Sequence, residues 1–345
     1  MGVLRFPAFL HFSSRIHDQR FVTALLAAAC LLGLSGCASL QVRLGMKVNL
    51  AKIPVKSMDV KLQNGPGIVP GGKSSLIVTV AEPTGKVLLS EGKGGGKVMW
   101  KDLKVTADVV SVTPKGIVTL PKDPRISDGK LGHVTVTAPS HPDMRAELDI
   151  PVSYDHDFVS NFSGAQGSAG ADGSDGTNGM SGSMGSMDPN NPSAGGDGGN
   201  GTDGGNGGDG GPGGDAPPVQ VRITVKTESR PLLQVGVAAN GKTKFYLVDP
   251  AGGSLTIKAD GGPGGSRGRG GRGGNGGSGG TGTPNGNSGS SGMDGHSGSD
   301  GSPGRGGLIT VVYDSAAKPY MAKVRLSAQN GPKPVLQEEP VAPLW

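Results

Sequence analysis

The sequence predicts an all-β protein: an antiparallel sandwich, then a second β-sandwich module that carries long glycine hairpins. No substantial helix is expected beyond the N-terminal apolar run. Three observations predict this. From 56 to 155 apolar residues alternate with polar ones at period two, broken by Gly and Pro. The same alternation returns at 217–260 and 308–330. Around and between those stretches Gly recurs at every third position, with 65 Gly in 345 residues. That content exceeds the usual ~7% and falls short of the one-third of a complete collagen.

The N-terminus reads as an address. Arg5, Arg15 and Arg20 precede the apolar run "FVTALLAAACLLGL", which is too short to span a bilayer and suits a signal-peptide core. It ends in Leu34-Ser35-Gly36-Cys37. These four residues resemble the lipobox of bacterial lipoproteins at every position. The resemblance implies a diacylglyceryl thioether on Cys37, cleavage by signal peptidase II between Gly36 and Cys37, and N-acylation of the new terminus. Two acyl chains suffice for stable anchoring. The residue after the Cys is Ala38, not Asp, and the resemblance to sorted lipoproteins of Gram-negative bacteria then implies the outer membrane. Residues 1–36 are then signal peptide and 37–55 a tether. Cys30 is lost with the signal peptide, so the two cysteines form no disulfide.

The first β domain is expected at 56–155. Met58, Val60 and Leu62 share one side of a strand, as do Leu76, Val78 and Val80. Further strands hold Val105 and Ala107, Val134 and Val136, and Ala146, Leu148 and Ile150, with Trp100 filling the core. The run "VPGGKSSLIVTV … GKVMW … GIVTL … GHVTVTA … AELDIPV" resembles bacterial immunoglobulin-like domains, without the Cys pair of antibody domains. The second module is expected at 217–260 and 308–330. Its strands hold Val219, Val221 and Ile223; Leu233, Val235 and Val237; and Leu255 and Ile257. Asn240-Gly241 is a hairpin signal. Residues 331–345 read as a flexible Pro-rich tail.

Glycine hairpins are expected at 160–216 and 261–307. Gly stands at 164, 167, 170, 173, 176, 179, 182 and 185, with none between, and 286–304 keeps the same phase. In 195–214 and 261–282 most triplets carry two Gly. A slack linker has no reason to keep phase. Strict phase suits a helix of three residues per turn and ~3.1 Å rise. The tracts resemble those of the snow flea antifreeze protein and of the receptor-binding tips of some phage tail fibres. That resemblance implies a bundle of polyglycine-II helices; a collagen-like trimer and a disordered spacer remain the alternatives. The breaks "SMDPNNPSA" (186–194) and "TPN" (283–285) divide the tracts into four helices of roughly 60 Å each. The second and third have two Gly-rich faces and are expected at the centre, with the first and fourth flanking them. Asp197, Asn200, Asp203, Asn206 and Asp209 share one face, which is expected to meet only water, so Asn206→Ser should be nearly silent. Gly→Val within 204–208 is expected to disturb the bundle, with Gly207 facing a neighbouring backbone. Seven Asp in 164–215 and Arg267, Arg269 and Arg272 favour association of the two hairpins.

Catalytic chemistry is not apparent. Asp197, Asp203 and Asp209 are weak calcium candidates, but the large aliphatic residue of each RTX repeat is missing. Asp155-His156-Asp157 has no second His nearby. "GGPGGSRGRGG" lacks the Lys-Ser/Thr of a P-loop, and no nucleophile elbow occurs. Net charge is +5, and the first 36 residues carry +2 of it (Arg5, Arg15 and Arg20 less Asp18). The remaining +3 is too weak to suggest nucleic acid. The expectation is a non-enzymatic, cofactor-free, lipid-anchored envelope protein with a structural or adhesive role. Its partners would be the membrane, through the lipid, and a glycan or envelope protein. The alternatives are an accessory subunit of an envelope enzyme or transport system, and a collagen-like trimeric stalk.

Overall fold

A computed structural model describes residues 41–227 and 230–345. The lipobox at 34–37 lies outside the described residues. The fold is all-β, and among the described residues the longest helical segment is the 3-10 run Ser315–Lys323. Contacts divide the chain into two units. One runs to Lys122 and takes in Ile126–Ser153; the other holds Asp123–Arg125 and Tyr154–Trp345.

The first unit contains β1 (Ser57–Leu62), β2 (Lys73–Ala81), β3 (Val87–Glu91), β4 (Gly95–Gly96), β5 (Lys104–Asp108), β6 (Ser111–Val112), β7 (Ile117–Thr119), β8 (Gly132–Ala138) and β9 (His141–Ile150). One sheet runs β4-β3-β2-β7-β6 with β1 also on β2, and the other runs β5-β8-β9. All their pairs are antiparallel. Period-two burial makes the core: Leu76, Val78 and Val80 from β2 meet Val134, Val136 and Ala138 from β8. Trp100 is buried there, and its indole N–H donates to the Glu91 carbonyl at 2.7 Å. Its ring explains Gly116. A Cβ on Gly116 would lie 2.1 Å from Trp100 Cζ2, and Gly116 has φ +74°.

The second unit contains β10 (Asp157–Asn161), β11 (Val219–Thr227), β12 (Pro231–Ala239), β13 (Lys242–Val248), β14 (Ser254–Lys258), β15 (Ile309–Tyr313), β16 (Val324–Ser327) and β17 (Val335–Glu338). A mixed sheet β13-β12-β11-β15-β17 faces a parallel sheet β10-β14-β16. Between them lie Phe158, Val221, Ile223, Val235, Leu255, Ile257, Ile309 and Val311. Asn240 and Gly241 both take positive φ and close the β12–β13 hairpin.

Residues 331–345 are not a free tail. β17 pairs in parallel with β15, Val341 is buried, and Trp345 packs edge-on against Phe245 at 5.6 Å. Lys318 bonds Glu338 at 2.8 Å, which raises the Lys318 pKa.

Parallel pairing follows from the glycine excursions. β10 and β14 are the strands by which the chain leaves the module, and β11 and β15 are those by which it returns. Strands leaving together pair in parallel, and so do strands returning together.

Candidate interaction surface: the glycine bundle

Helices I (164–185), II (195–214), III (261–282) and IV (286–307) extend these ladders without a break. β10 and β14 pair Asp157 with Ser254, an offset of 97 residues. Helix I keeps the same 97-residue offset to helix III, where Asp172 Oδ1 accepts from the Arg269 amide. β11 and β15 pair Val219 with Ile309, an offset of 90, and helix II keeps that offset to helix IV, where Asp197 Oδ1 accepts from Asn287. Two β layers thus continue as two polyglycine layers.

In helices I, III and IV every third backbone amide crosses to a neighbouring carbonyl, and in helix II two of every three do. Helix I donates to III, as in Gly173 N–H to Arg269 O at 2.8 Å. Helix II donates to I and to IV, as in Gly205 to Ser174 and Gly204 to Met293. Helix III donates to II, as in Gly271 to Gly205, and IV donates to III, as in Gly295 to Gly271. Helices II and III therefore each touch three others. Helices I and IV flank them, with no backbone bond between the two among the described residues. Phase alone predicts this order. Met180, Met184 and Met293, which could not fit between backbones, stand 84%, 77% and 74% exposed on the flanking helices. Helices I and III run parallel, as do II and IV, while the pairs I–II, II–III and III–IV are antiparallel, all within one chain, unlike the three parallel chains of a collagen.

Sterics set the glycine pattern. A Cβ on Gly271 would lie 2.0 Å from Ser174 O, and one on Gly207 would lie 2.3 Å from Gly268 O. Both neighbours are backbone and cannot yield. The glycines of helix III that donate to helix II, from Gly262 to Gly280, are buried throughout.

The Asp and Asn face of helix II is not simply solvated. Asp197, Asn200, Asp203, Asn206, Asp209 and Asp215 are exposed, yet each Oδ1 accepts a backbone amide of helix IV, at 2.6–2.9 Å. Helix I holds helix III in the same way through Asp172, Asp175 and Asn178, and helix IV holds it through Asp294 and Asp300. The amides left over by the backbone ladder thus find side-chain acceptors. What meets Asp172 and Asp175 is the backbone N–H of Arg269 and Arg272. Asn206→Ser is accordingly not silent. It removes the acceptor of the His296 amide, a bond worth about 1 kcal/mol net. Faster amide exchange at His296 than in the parent would register the loss.

Asp197, Asp203 and Asp209 are each committed to a different amide and lie about 19 Å apart along the helix. They form no common cation site. Among the described residues no group of three His, Cys, Asp or Glu is placed to hold a metal. In the 155–157 triplet, His156 stacks edge-on against Phe158 and Asp157 accepts from Ser254 Oγ, so both support β10.

At the far end the turn 186–194 is tied by Ser193 N–H to Ser186 O and by Asp188 Oδ1 to Asn190 N–H. The turn 283–285 leans on it through Thr283 N–H to Ser193 O. Exposed Met184 and Met187 stand beside these turns. No family model, curated protein or solved structure matches the chain.

Proposed function

We propose that the chain is a lipid-anchored protein of a bacterial envelope, held in the outer membrane through Cys37, and that its glycine bundle serves a structural or adhesive role. One observation carries the reading. Four long segments fold without a hydrophobic core into a body whose outside is ordered rows of Ser, Thr, Asn, Asp and bare backbone, with Arg267, Arg269 and Arg272 and the exposed Met180, Met184 and Met293 among them. Such a body makes surface rather than a cavity. Its hydroxyl, carboxamide and peptide groups suit a polar partner, a glycan or another envelope protein.

Two measurements test the two halves. Cys37→Ser is expected to abolish lipid labelling and leave uncut precursor, because the thiol is the acyl acceptor. Labelling at the parent level would refute the anchor. Cells displaying the intact chain should attach to envelope or glycan surfaces better than cells displaying a bundle-disrupted variant at equal surface level. Equal attachment would remove the adhesive role.

A further inference from the structure

The bundle has four outer grooves, and side chains fill three of them. Asp and Asn of helix II fill the groove over helix IV, those of helix I fill the groove over helix III, and Asp294, Ser297 and Asp300 of helix IV fill the remaining side of helix III. The groove between helices I and II is different. Helix II presents Gly196, Gly199, Gly205, Gly208, Gly211 and Gly214 to it. Packing constrains these glycines far less than those of the inner faces. A Cβ on Gly199 or Gly208 would meet nothing closer than the Met180 amide at 3.2 Å or the Ala171 amide at 3.3 Å. Over Gly196, Gly205 and Gly211 the nearest atom is the hydroxyl of a serine of helix I, which can turn away. Thr202 in the same row shows that a side chain fits.

Donors line this groove. Among the described residues, the amides of Ser168, Ala171, Ser174, Met180 and Ser183 have no acceptor. Where an acceptor stands in the groove it is bound: Thr202 Oγ1 accepts from the Thr177 amide at 2.7 Å. No carboxylate of helix I or II is bonded into the groove, because those of Asp172, Asp175, Asp197, Asp203 and Asp209 are bonded into the others. The sheet beneath shows the same break. β11 has β15 on one side and β12 on the other, whereas helix II has helix IV on the β15 side and no helix on the β12 side.

We infer that this groove is a docking seat for a fifth extended glycine-rich segment, contributed by a partner protein. The seat that helices I and II already give helix III defines the occupant. Helix III takes amide donors of I on its carbonyls and gives its own amides to carbonyls of II. The open groove offers the same pair, amides of I and the carbonyls of II that III leaves unused. A second copy docked through the same groove by a two-fold axis across the helices does not satisfy it, since each donor row would then face itself. The occupant that satisfies both rows is a different surface: a Gly-X-X strand with a bare face toward helix II. The inference deepens the adhesive reading by naming the partner's chemistry, and it is tested apart from attachment.

The test uses the full chain in detergent and a labelled synthetic peptide of residues 261–282, which already matches such a seat. Fluorescence anisotropy is expected to show saturable binding. The same composition with its glycines out of phase should bind on the order of tenfold more weakly or worse. Gly199→Asn, Gly205→Asn and Gly208→Asn together should abolish binding. They should also preserve protease resistance, because each Oδ1 can accept a free amide of helix I as Thr202 does. Thr202→Gly, which opens the groove further, should tighten binding, and this variant decides the matter if the triple one misfolds. No binding, equal binding of the out-of-phase peptide, or indifference to the groove substitutions would overturn the inference.

Discussion

Exchanging Asn275 and Gly276 is expected to break the bundle open, although composition, mass and charge are unchanged. Asn275 now stands on the outside of helix III, with its amide bonded to Asn178. One position further along, a Cβ lies 2.1 Å from Gly289 O and 2.8 Å from Ser290 O. Overpacking ordinarily costs about 1–3 kcal/mol, and that range assumes neighbours that can change rotamer. Here the neighbours are peptide groups of helix IV that helix II holds in place, with Ser290 O on the Gly201 amide and the Ser290 amide on Asn200 Oδ1, so relief requires the helices to separate. Limited proteolysis should show new cuts in 261–307 in the exchanged variant and none in the parent. Identical digestion patterns would mean that phase does not matter.

A matched pair of alanines gives the second large effect. Gly271→Ala is expected to destabilise the bundle severely, and Gly208→Ala hardly at all. The new methyl on Gly271 would sit 2.0 Å from Ser174 O, between helices I, II and III, and would disturb two ladder bonds, Gly271 to Gly205 and Gly295 to Gly271. On Gly208 the nearest atom is 3.3 Å away, at the open groove. Its effect should stay near the ±0.5 kcal/mol of an ordinary surface change. The two variants have the same composition and the same loss of chain entropy. Only position differs, so thermal unfolding followed by circular dichroism isolates packing. Equal midpoints would contradict the arrangement.

Much of this was legible in the sequence, and the reasons differ by element. A three-residue phase reports directly on which faces can approach a backbone, so the central place of helices II and III could be read from Gly spacing. Period-two alternation likewise marked the strands of both cores. Alternation does not name partners, however. The parallel pairings of β10 with β14 and of β11 with β15 join residues 97 and 90 apart, and nothing in either strand encodes that. β17 escaped because its four residues are all exposed and lie among prolines. The face of Asp197 to Asp215 was recognised as a row but not as a set of acceptors. An exposed Asp reads as solvated until the amide it binds, contributed by a distant helix, is in place.

Residue-resolved amide exchange tests the central claim, an ordered polyglycine lattice within one chain, most directly. In helix III all three residue positions of the repeat have acceptors, as Gly271, Arg272 and Gly273 show. In helix II only two do. Gly204 and Gly205 donate to helices IV and I, whereas the Asn206 amide has no acceptor among the described residues. The account predicts slow exchange throughout the middle of helix III. For helix II it predicts a repeating slow, slow, fast pattern. Uniformly fast exchange through 195–214 and 261–282, with no period of three, would contradict it.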